Sequence, residues 1–518
     1  MITQIHSGAI LGIDAFRIDV EVYITRAFSA FHLVGLPNNS VRESRLRIQS
    51  AMENLALDFP RDKRVTVNLA PAHIRKEGTA LDLPIALALM VALGDIPARR
   101  TLNLHRYLAI GELALDGSLR PIRGALSVAV LAREQGFEGV IVPHDNAPEA
   151  AIVQDIDVLG VDHLRSLISV LQGHKDVETL RPPPAAADPT PDDHSLDFNQ
   201  VAGQAPVKRA IEIAAAGDHN LLMIGPPGSG KSMLAKRIPT ILPPMSFDEA
   251  LETTRIYSVT GQLPRQGLMR RRPFRAPHHT ISDVGLAGGG SGVPRPGELS
   301  MAHQGVLFLD ELPEFRRAAL EVLRQPLENG EVRLTRSQLS VTYPASTMLI
   351  AAMNPCRCGY FDQPRCDCSL HDVKTYRRRL SGPLLDRIDL HVDVPAVPYS
   401  DIRNAQRGES SATIAQRVLQ ARQRQRQRFA DLPIHANSQM GTDLLDQHCP
   451  LDDEGHQLLA AAVERFGLSA RSCNRILKVA RTIADLDQLP QPTSAQIAEA
   501  IQYRQLDRRH SSLQGLAG

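Results

Sequence analysis

The residues best suited to chemistry lie in residues 225–232, GPPGSGKS, where glycines, a lysine and a hydroxyl follow a short apolar run. Leu221–Ile224 reads as a buried strand, and the MLAKRI that follows has helical spacing. The stretch is therefore a strand-to-helix loop of the form G-x-x-x-x-G-K-[ST]. Gly225, Pro226, Pro227, Gly228, Ser229 and Gly230 shape a cradle for β- and γ-phosphates, Lys231 brings them a point charge, and the Ser232 hydroxyl can hold Mg²⁺. The cofactors this pattern calls for are ATP and Mg²⁺. Hydrolysis needs a metal-holding carboxylate and a water activator, and residues 305–312, GVLFLDEL, supply both. They predict a central strand ending at Asp310, which would position Mg²⁺, and Glu311, which would polarise the attacking water. Residues 348–354, MLIAAMN, predict another buried strand that leaves Asn354 to hold the same water.

Those strands need a large scaffold, and 518 residues with 43% hydrophobic side chains allow three domains with filled cores. With 58 basic against 57 acidic residues, any nucleic-acid surface must be local. The amino-terminal residues have no basic region leading into an apolar one, and the longest apolar run, residues 83–93, is too short to cross a bilayer. Six cysteines in so long a chain do not make a disulfide scaffold, so a cytoplasmic protein with no membrane partner is expected.

Residues 1–176 show mixed α/β patterning: strands at 16–22, 64–69, 107–111 and 139–143, and an amphipathic helix over 41–54. Residues 177–196, ETLRPPPAAADPTPDDHSLD, have the composition of an extended linker. A nucleotide-binding domain is expected over 197–398 and a helical lid over 399–518.

Three resemblances sharpen this division. KEGTALDLPIALAL, AIGELALDGSLRPIRGAL and GVIVP resemble the proteolytic domain of Lon-type proteases and the related S5-like fold. That implies a Ser–Lys dyad, yet Ala80 stands where the serine belongs and Leu126 about where the lysine belongs, so the domain is expected to be inactive in proteolysis. Ser127 and Lys76 could restore a dyad only under a shifted alignment. FNQVAGQ and the helix after it resemble the entry segment of AAA+ ATPases. FRAPHHTISDVGLAGGG, GELSMAHQGVLFLDELPEF and AAMNPCRCG resemble the magnesium-chelatase-like AAA+ proteins, and within them the ComM/YifB group. The fold class expected is thus α/β, with an S5/Lon-like α+β domain, an AAA+ P-loop domain and a helical C-terminal lid.

The resemblance implies further roles. LLDRIDL matches the motif that carries an arginine finger, so Arg387 would reach a neighbouring subunit's γ-phosphate; in LSARSCNRILKVARTIADL, Arg471 fits a sensor that touches the γ-phosphate of its own subunit, with Arg475 as competitor. Insertions over roughly 273–296 and 328–343 would project into a ring's channel, the second as a hairpin carrying Arg333 and Arg336, which could follow a DNA backbone or be ordinary solvated charges. Arg270–Arg272 and the helix around 411–429, with Arg417, Arg422, Arg424, Arg426 and Arg428 and no acidic residue among them, are further candidates for phosphate contact. Cys356, Cys358, Cys366 and Cys368 form two C-x-C pairs, which suit a structural Zn²⁺ with His371 in reserve; the other reading is free thiols. The function implied is an ATP-driven homohexameric DNA motor, a helicase that promotes branch migration while single-stranded DNA is integrated by homologous recombination in natural transformation. Its partners would be single-stranded and branched DNA and recombination proteins. The alternative is a chelatase-like ATPase that remodels a protein or metal-insertion partner.

Overall fold

The computed structural model describes residues 2–97, 102–180, 196–263, 267–290, 292–336, 339–361, 363–396 and 408–504. Most of the expected linker, residues 181–195, and the point where the lid was expected to begin, residues 397–407, lie outside the described residues.

The chain opens with β1 (Ile2–Leu11), β2 (Asp14–Thr25), β3 (Ala30–Val34), β4 (Arg64–Ala70), β5 (Tyr107–Ala109), β6 (Glu112–Leu113), β7 (Leu119–Arg120), β8 (Gly139–Pro143) and β9 (Asp157–Val161). Seven of these form a mixed sheet in the order β3-β4-β2-β1-β5-β8-β9. Alternation sets its faces: Ile18, Val20 and Val22 of β2 and Val65, Val67 and Leu69 of β4 are buried, with polar residues between them. The Asp82–Leu93 helix packs on this sheet and is apolar almost all round. The helix expected over 41–54 is two, Asn39–Arg42 and Ser44–Asn54, with Glu43 between them; the Asn38 side chain accepts the Val41 N–H and so starts the first. Ala80 precedes the Asp82–Leu93 helix, and Leu126 is buried in the Ala125–Glu134 helix. The restored dyad does not form, since Lys76 donates to the Pro71 carbonyl and Ser127 Oγ to the Ile13 carbonyl at 2.5 Å.

The remaining strands are β10 (Leu221–Ile224), β11 (Phe274–Arg275), β12 (Gly288–Gly289), β13 (Arg295–Pro296), β14 (Val306–Leu309), β15 (Glu331–Arg336), β16 (Leu339–Pro344), β17 (Met348–Met353) and β18 (Leu390–Asp393). Five make an all-parallel sheet, β11-β14-β17-β10-β18. β10, β14 and β17 are buried along their whole length, as unbroken apolar strands covered on both faces must be. The two insertions fold as the β12–β13 and β15–β16 antiparallel hairpins. Among the described residues the helices Ser411–Arg428, Thr442–His448, Asp453–Phe466, Ala470–Leu486 and Ser494–Gln502 follow, and Val418, Ala421, Ile476, Val479 and Ile483 share a core with the Ala205–Gly217 helix. No described helix is long and apolar enough to cross a membrane.

Several arginines of the two basic clusters are held by contacts within the chain. Arg417 pairs with Glu212 and Glu409, Arg422 lies 3.6 Å from Asp218, and Arg428 grips Asp485 at 2.5 and 2.9 Å. Glu409 lies just before the helix, but Glu212, Asp218 and Asp485 come from distant segments, which a search within the helix does not find. Arg272 likewise holds the Pro243 and Gln304 carbonyls and Glu249.

The protease-like part is fastened to the Phe247–Thr260 helix. Arg255 donates to the Ile13 carbonyl at 3.0 Å and to Asp14 at 2.6 Å, and Ser258 Oγ donates to Glu149 Oε2 at 2.6 Å. Burial raises the Glu149 carboxyl above its ordinary value, and the Ser258 and Asn146 hydrogen bonds only partly oppose it. A raised folded-state value means that the native protein holds this proton more tightly than the unfolded chain does. The contribution is present below the unfolded value and is lost as pH rises through the folded one. Glu149→Gln should therefore flatten the fall in stability between weakly acidic and neutral pH, which thermal melting across that window measures; a parallel fall in both proteins would dismiss Glu149 as its source.

Candidate active site

The carboxyl ends of β10, β14 and β17 meet at one edge of the parallel sheet, where open α/β sheets bind ligands. Gly225 directly follows β10, and a Cβ there would lie 2.2 Å from the Val394 carbonyl oxygen, so the loop can begin only with glycine. Gly230, at φ +91°, turns the chain into the Lys231–Ala235 helix. Lys231 Nζ donates to the carbonyls of Gly225 at 2.7 Å and Pro226 at 2.9 Å, and lies 3.3 Å from Asn354 Oδ1. Burial lowers its ammonium below the ordinary lysine value, although Asp310 and Glu311 pull the other way. Ser232 Oγ donates to Asp310 Oδ2 at 2.5 Å. The structure therefore brings Lys231, Ser232, Asp310 and Asn354 together.

This donor set fits a magnesium nucleotide. Lys231 folds back onto its own loop's carbonyls, a hydroxyl and a carboxylate that can share a hard cation are already in contact, and the buried Ser229 Oγ has no hydrogen-bond partner. Glu311, one residue on, is half-exposed and holds a left-handed conformation at φ 54°. A non-glycine residue there is strained.

One contact of this site escapes a reading of the sequence. His279 Nδ1 lies 3.2 Å from Glu311 Oε2, and its ring is tilted by 34° against that of His278, with centroids 4.1 Å apart, and meets Phe315 edge-on. The histidines follow β11 and lead into the first insertion. No spacing rule links them to Glu311, and only the β11–β14 pairing brings them close. If Glu311 activates the water, as the sequence leads one to expect, a side chain that holds its carboxylate restrains it. Replacing His279 by Ala should raise hydrolysis in the absence of polymer several-fold and shrink any stimulation by polymer; loss of hydrolysis instead would make His279 a group that the reaction itself requires.

Arg387 is at the other end of the sheet. Asn220, the residue before β10, donates from its side chain to the Arg387 carbonyl at 2.9 Å. The guanidinium of Arg387 is tied to the Arg324 and Pro383 carbonyls, both at 2.7 Å, and to Glu328 at 2.5 Å. The four residues of β10 separate it from Gly225 by about 13 Å. Arg475 is at this same end, 3.3 Å from Asp389. Burial pushes Asp389 up, but the His219 hydrogen bond and the Arg475 charge outweigh it and hold the carboxyl well below its usual range. These residues, with Lys478, line a cleft of about 840 Å³. Arg471 is exposed one turn before Arg475 on the same helix. Arg471, expected to touch a phosphate of its own subunit, is thus one turn from Arg475, which is held beside Asp389 just before β18.

The four cysteines converge. Sγ of Cys356 is 3.3 Å from Cys358 and 3.9 Å from Cys366, Cys358 is 3.6 Å from Cys366, and the four sulfurs including Cys368 lie within 4.8 Å of one another. Sulfurs about 2.3 Å from a tetrahedral ion sit about 3.8 Å apart, so the set fits zinc, whereas a disulfide needs contact near 2 Å. The Tyr360 N–H and the Cys356 thiol pull Cys358 down to about 6. This knot abuts the phosphate loop: a Cβ on Gly359 would lie 2.5 Å from Pro227 Cδ, and Arg377 secures the knot's base by donating to the Pro355 carbonyl. Arg333 and Arg336 are exposed on the β15–β16 hairpin, well apart from the knot's sequence.

Comparison with known proteins agrees with this architecture. The family described as "Magnesium chelatase, subunit ChlI" matches residues 197–402, "Subunit ChlI of Mg-chelatase" matches 20–146, and "Magnesium chelatase, subunit ChlI C-terminal" matches 408–504. The chain is 43% identical to "Uncharacterized protein YifB" of Escherichia coli over 513 residues, covering 99% of each chain. The chain belongs to the ComM/YifB family of magnesium-chelatase-like AAA+ proteins. It is also 39% identical over 512 residues to "Competence protein ComM" of Haemophilus influenzae, covering 97% of each. A "Lon protease" of Halothermothrix orenii is 25% identical over 172 residues, 31% of this chain and 21% of that protein. In this ComM/YifB protein the protease-like part thus keeps the fold while Ala80 and Leu126 take the places expected for a dyad.

Proposed function

We propose that this protein is an ATP-driven DNA motor of ring form, a helicase that promotes branch migration as single-stranded DNA is integrated by homologous recombination in natural transformation. The observation that carries the reading is the split site: Lys231, Ser232, Asp310 and Asn354 gather at one end of the parallel sheet and Arg387 sits at the other. A finger that cannot reach its own phosphates can serve those of a neighbour, which makes a homohexameric ring with composite sites the natural assembly. Bound ATP and Mg²⁺ supply the phosphoanhydride and the charge that neutralises it. Lys231 holds the phosphates, Ser232 and Asp310 hold the metal, Glu311 takes the water's proton, Asn354 orients that water, and Arg387 stabilises the developing charge. The sensor role falls to Arg471 or Arg475 acting, like Arg387, across the subunit boundary. Zn²⁺ in the Cys356, Cys358, Cys366 and Cys368 knot is structural, since four sulfurs leave no open position.

The similarity to a protein named for competence supports DNA as the polymer, as do Arg333 and Arg336 on an exposed hairpin. The family description keeps a chelatase-like remodelling ATPase as the second reading. An ATP-dependent branch-migration assay on a labelled three-strand junction separates them. Strand product from the native chain, and none from Lys231→Ala, supports the motor. Hydrolysis without strand product or stimulation by DNA supports remodelling.

A further inference from the structure

A cleft of about 940 Å³ opens between the protease-like part and the two insertion hairpins. Arg42, His73 and Arg75 stand on one wall and Arg336 on the other, all exposed. Among the described residues neither Arg42 nor Arg336 has an ion pair. The one acidic residue in the lining, Glu77, is occupied: its Oε2 accepts the Val293 N–H at 3.3 Å, and its Oε1 lies 3.5 Å from Arg75 Nε. This contact ties the glycine-rich loop to the protease-like part, while Val341 packs on Gly12 beside it, so the two walls are fixed to each other. The floor is apolar, with Ile10, Leu36, Ile74 and Leu339, and Leu36 is 57% exposed. Gly290, at φ +120°, has nothing within 4 Å of where a Cβ would stand, so bare backbone faces the opening.

Cations on the rim, an apolar floor and exposed backbone at Gly290 match a polymer with charged backbone and flat bases. We propose that this cleft binds a single DNA strand, so that the protease-like part forms one wall of the path whose other wall is the Arg336 hairpin. The proposal rests on the motor reading and adds a second contact surface to it. It also gives the retained, dyad-less fold a use: it presents Arg42 and Arg75 at a fixed distance from Arg336.

The test uses the full chain and a fluorescein-labelled oligothymidylate, with binding followed by anisotropy over a range of salt. Arg42→Glu combined with Arg75→Glu should weaken binding about tenfold or more and flatten the slope of log affinity on log salt by about 1.4, or about 0.7 per lost phosphate contact. Arg336→Glu should weaken it similarly, and Arg165→Glu, an exposed arginine on the Leu164–Leu171 helix outside the cleft, should leave it unchanged. Unchanged melting of the double variant excludes misfolding as the cause. If the double variant binds like Arg165→Glu while Arg336→Glu is weakened, the cleft proposal falls and the motor stands. If the native chain binds no single strand, the motor reading falls and takes the cleft with it. Equal competition by polyglutamate of matched charge would assign the cleft to acidic peptides and overturn the proposal.

Discussion

Mixing Lys231→Ala protein with Arg387→Ala protein should restore ATP hydrolysis that neither variant shows alone. Arg387→Ala by itself should lower turnover at least about 10³-fold, the scale of a lost arginine finger. ATP binding should change little, because Arg387 stands a strand's length from the loop that holds the phosphates. Lys231→Ala should lose binding as well, since its ammonium is at the centre of the cradle. In a ring of randomly mixed subunits, about one quarter of the sites, one half times one half, pair an intact Lys231 with a neighbour's intact Arg387. Steady-state hydrolysis across mixing ratios, peaking near equal amounts, reads this directly. A flat line at zero would return Arg387 to its own subunit and leave its distance from Lys231 without a purpose.

The second large effect concerns the cysteine knot. Cys356 is fully buried and its sulfur touches two others, so Cys356→Ser should release bound zinc and several kcal/mol of stability, lowering the melting temperature by roughly 10 °C. Nucleotide affinity should fall with it, because the knot's Gly359 backs the phosphate loop at Pro227. A second variant separates support of the loop from general unfolding. Gly359→Ala keeps all four thiols but places a methyl 2.5 Å from Pro227 Cδ at a φ of +91°. It should retain zinc while binding ATP more weakly. Metal content by elemental analysis and nucleotide binding by calorimetry check both parts. Normal ATP affinity in Gly359→Ala would confine the knot to stability alone.

Much of the nucleotide site was legible because it is local. A strand, a glycine loop and a helix are contiguous, so residues 221–235 declare themselves by spacing, and the apolar runs ending in Asp310 and Asn354 do the same. The cysteines are close enough in the chain for a shared ion to be inferred before their sulfurs are seen together. The early start of the helix expected over 41–54 was not legible, since it turns on one side chain, Asn38, taking a backbone N–H. Nor was the pairing of Arg428 with Asp485 or of Arg417 with Glu212, 57 and 205 residues away in the chain.

The sequence by itself determined which residues bear the chemistry and that they sit at strand ends, because hydrophobic periodicity and glycine placement act over a few residues. Only the tertiary structure decided how they face one another. Parallel pairing of β11 with β14 delivers His279 to Glu311, and the direction of β10 and β18 sends Arg387 away from Lys231. The docking of the protease-like part through Arg255, Ser258 and Glu77 creates a basic cleft that neither part contains alone. Each of these depends on contacts between segments far apart in the chain, where burial of the whole core, not local spacing, selects the partner.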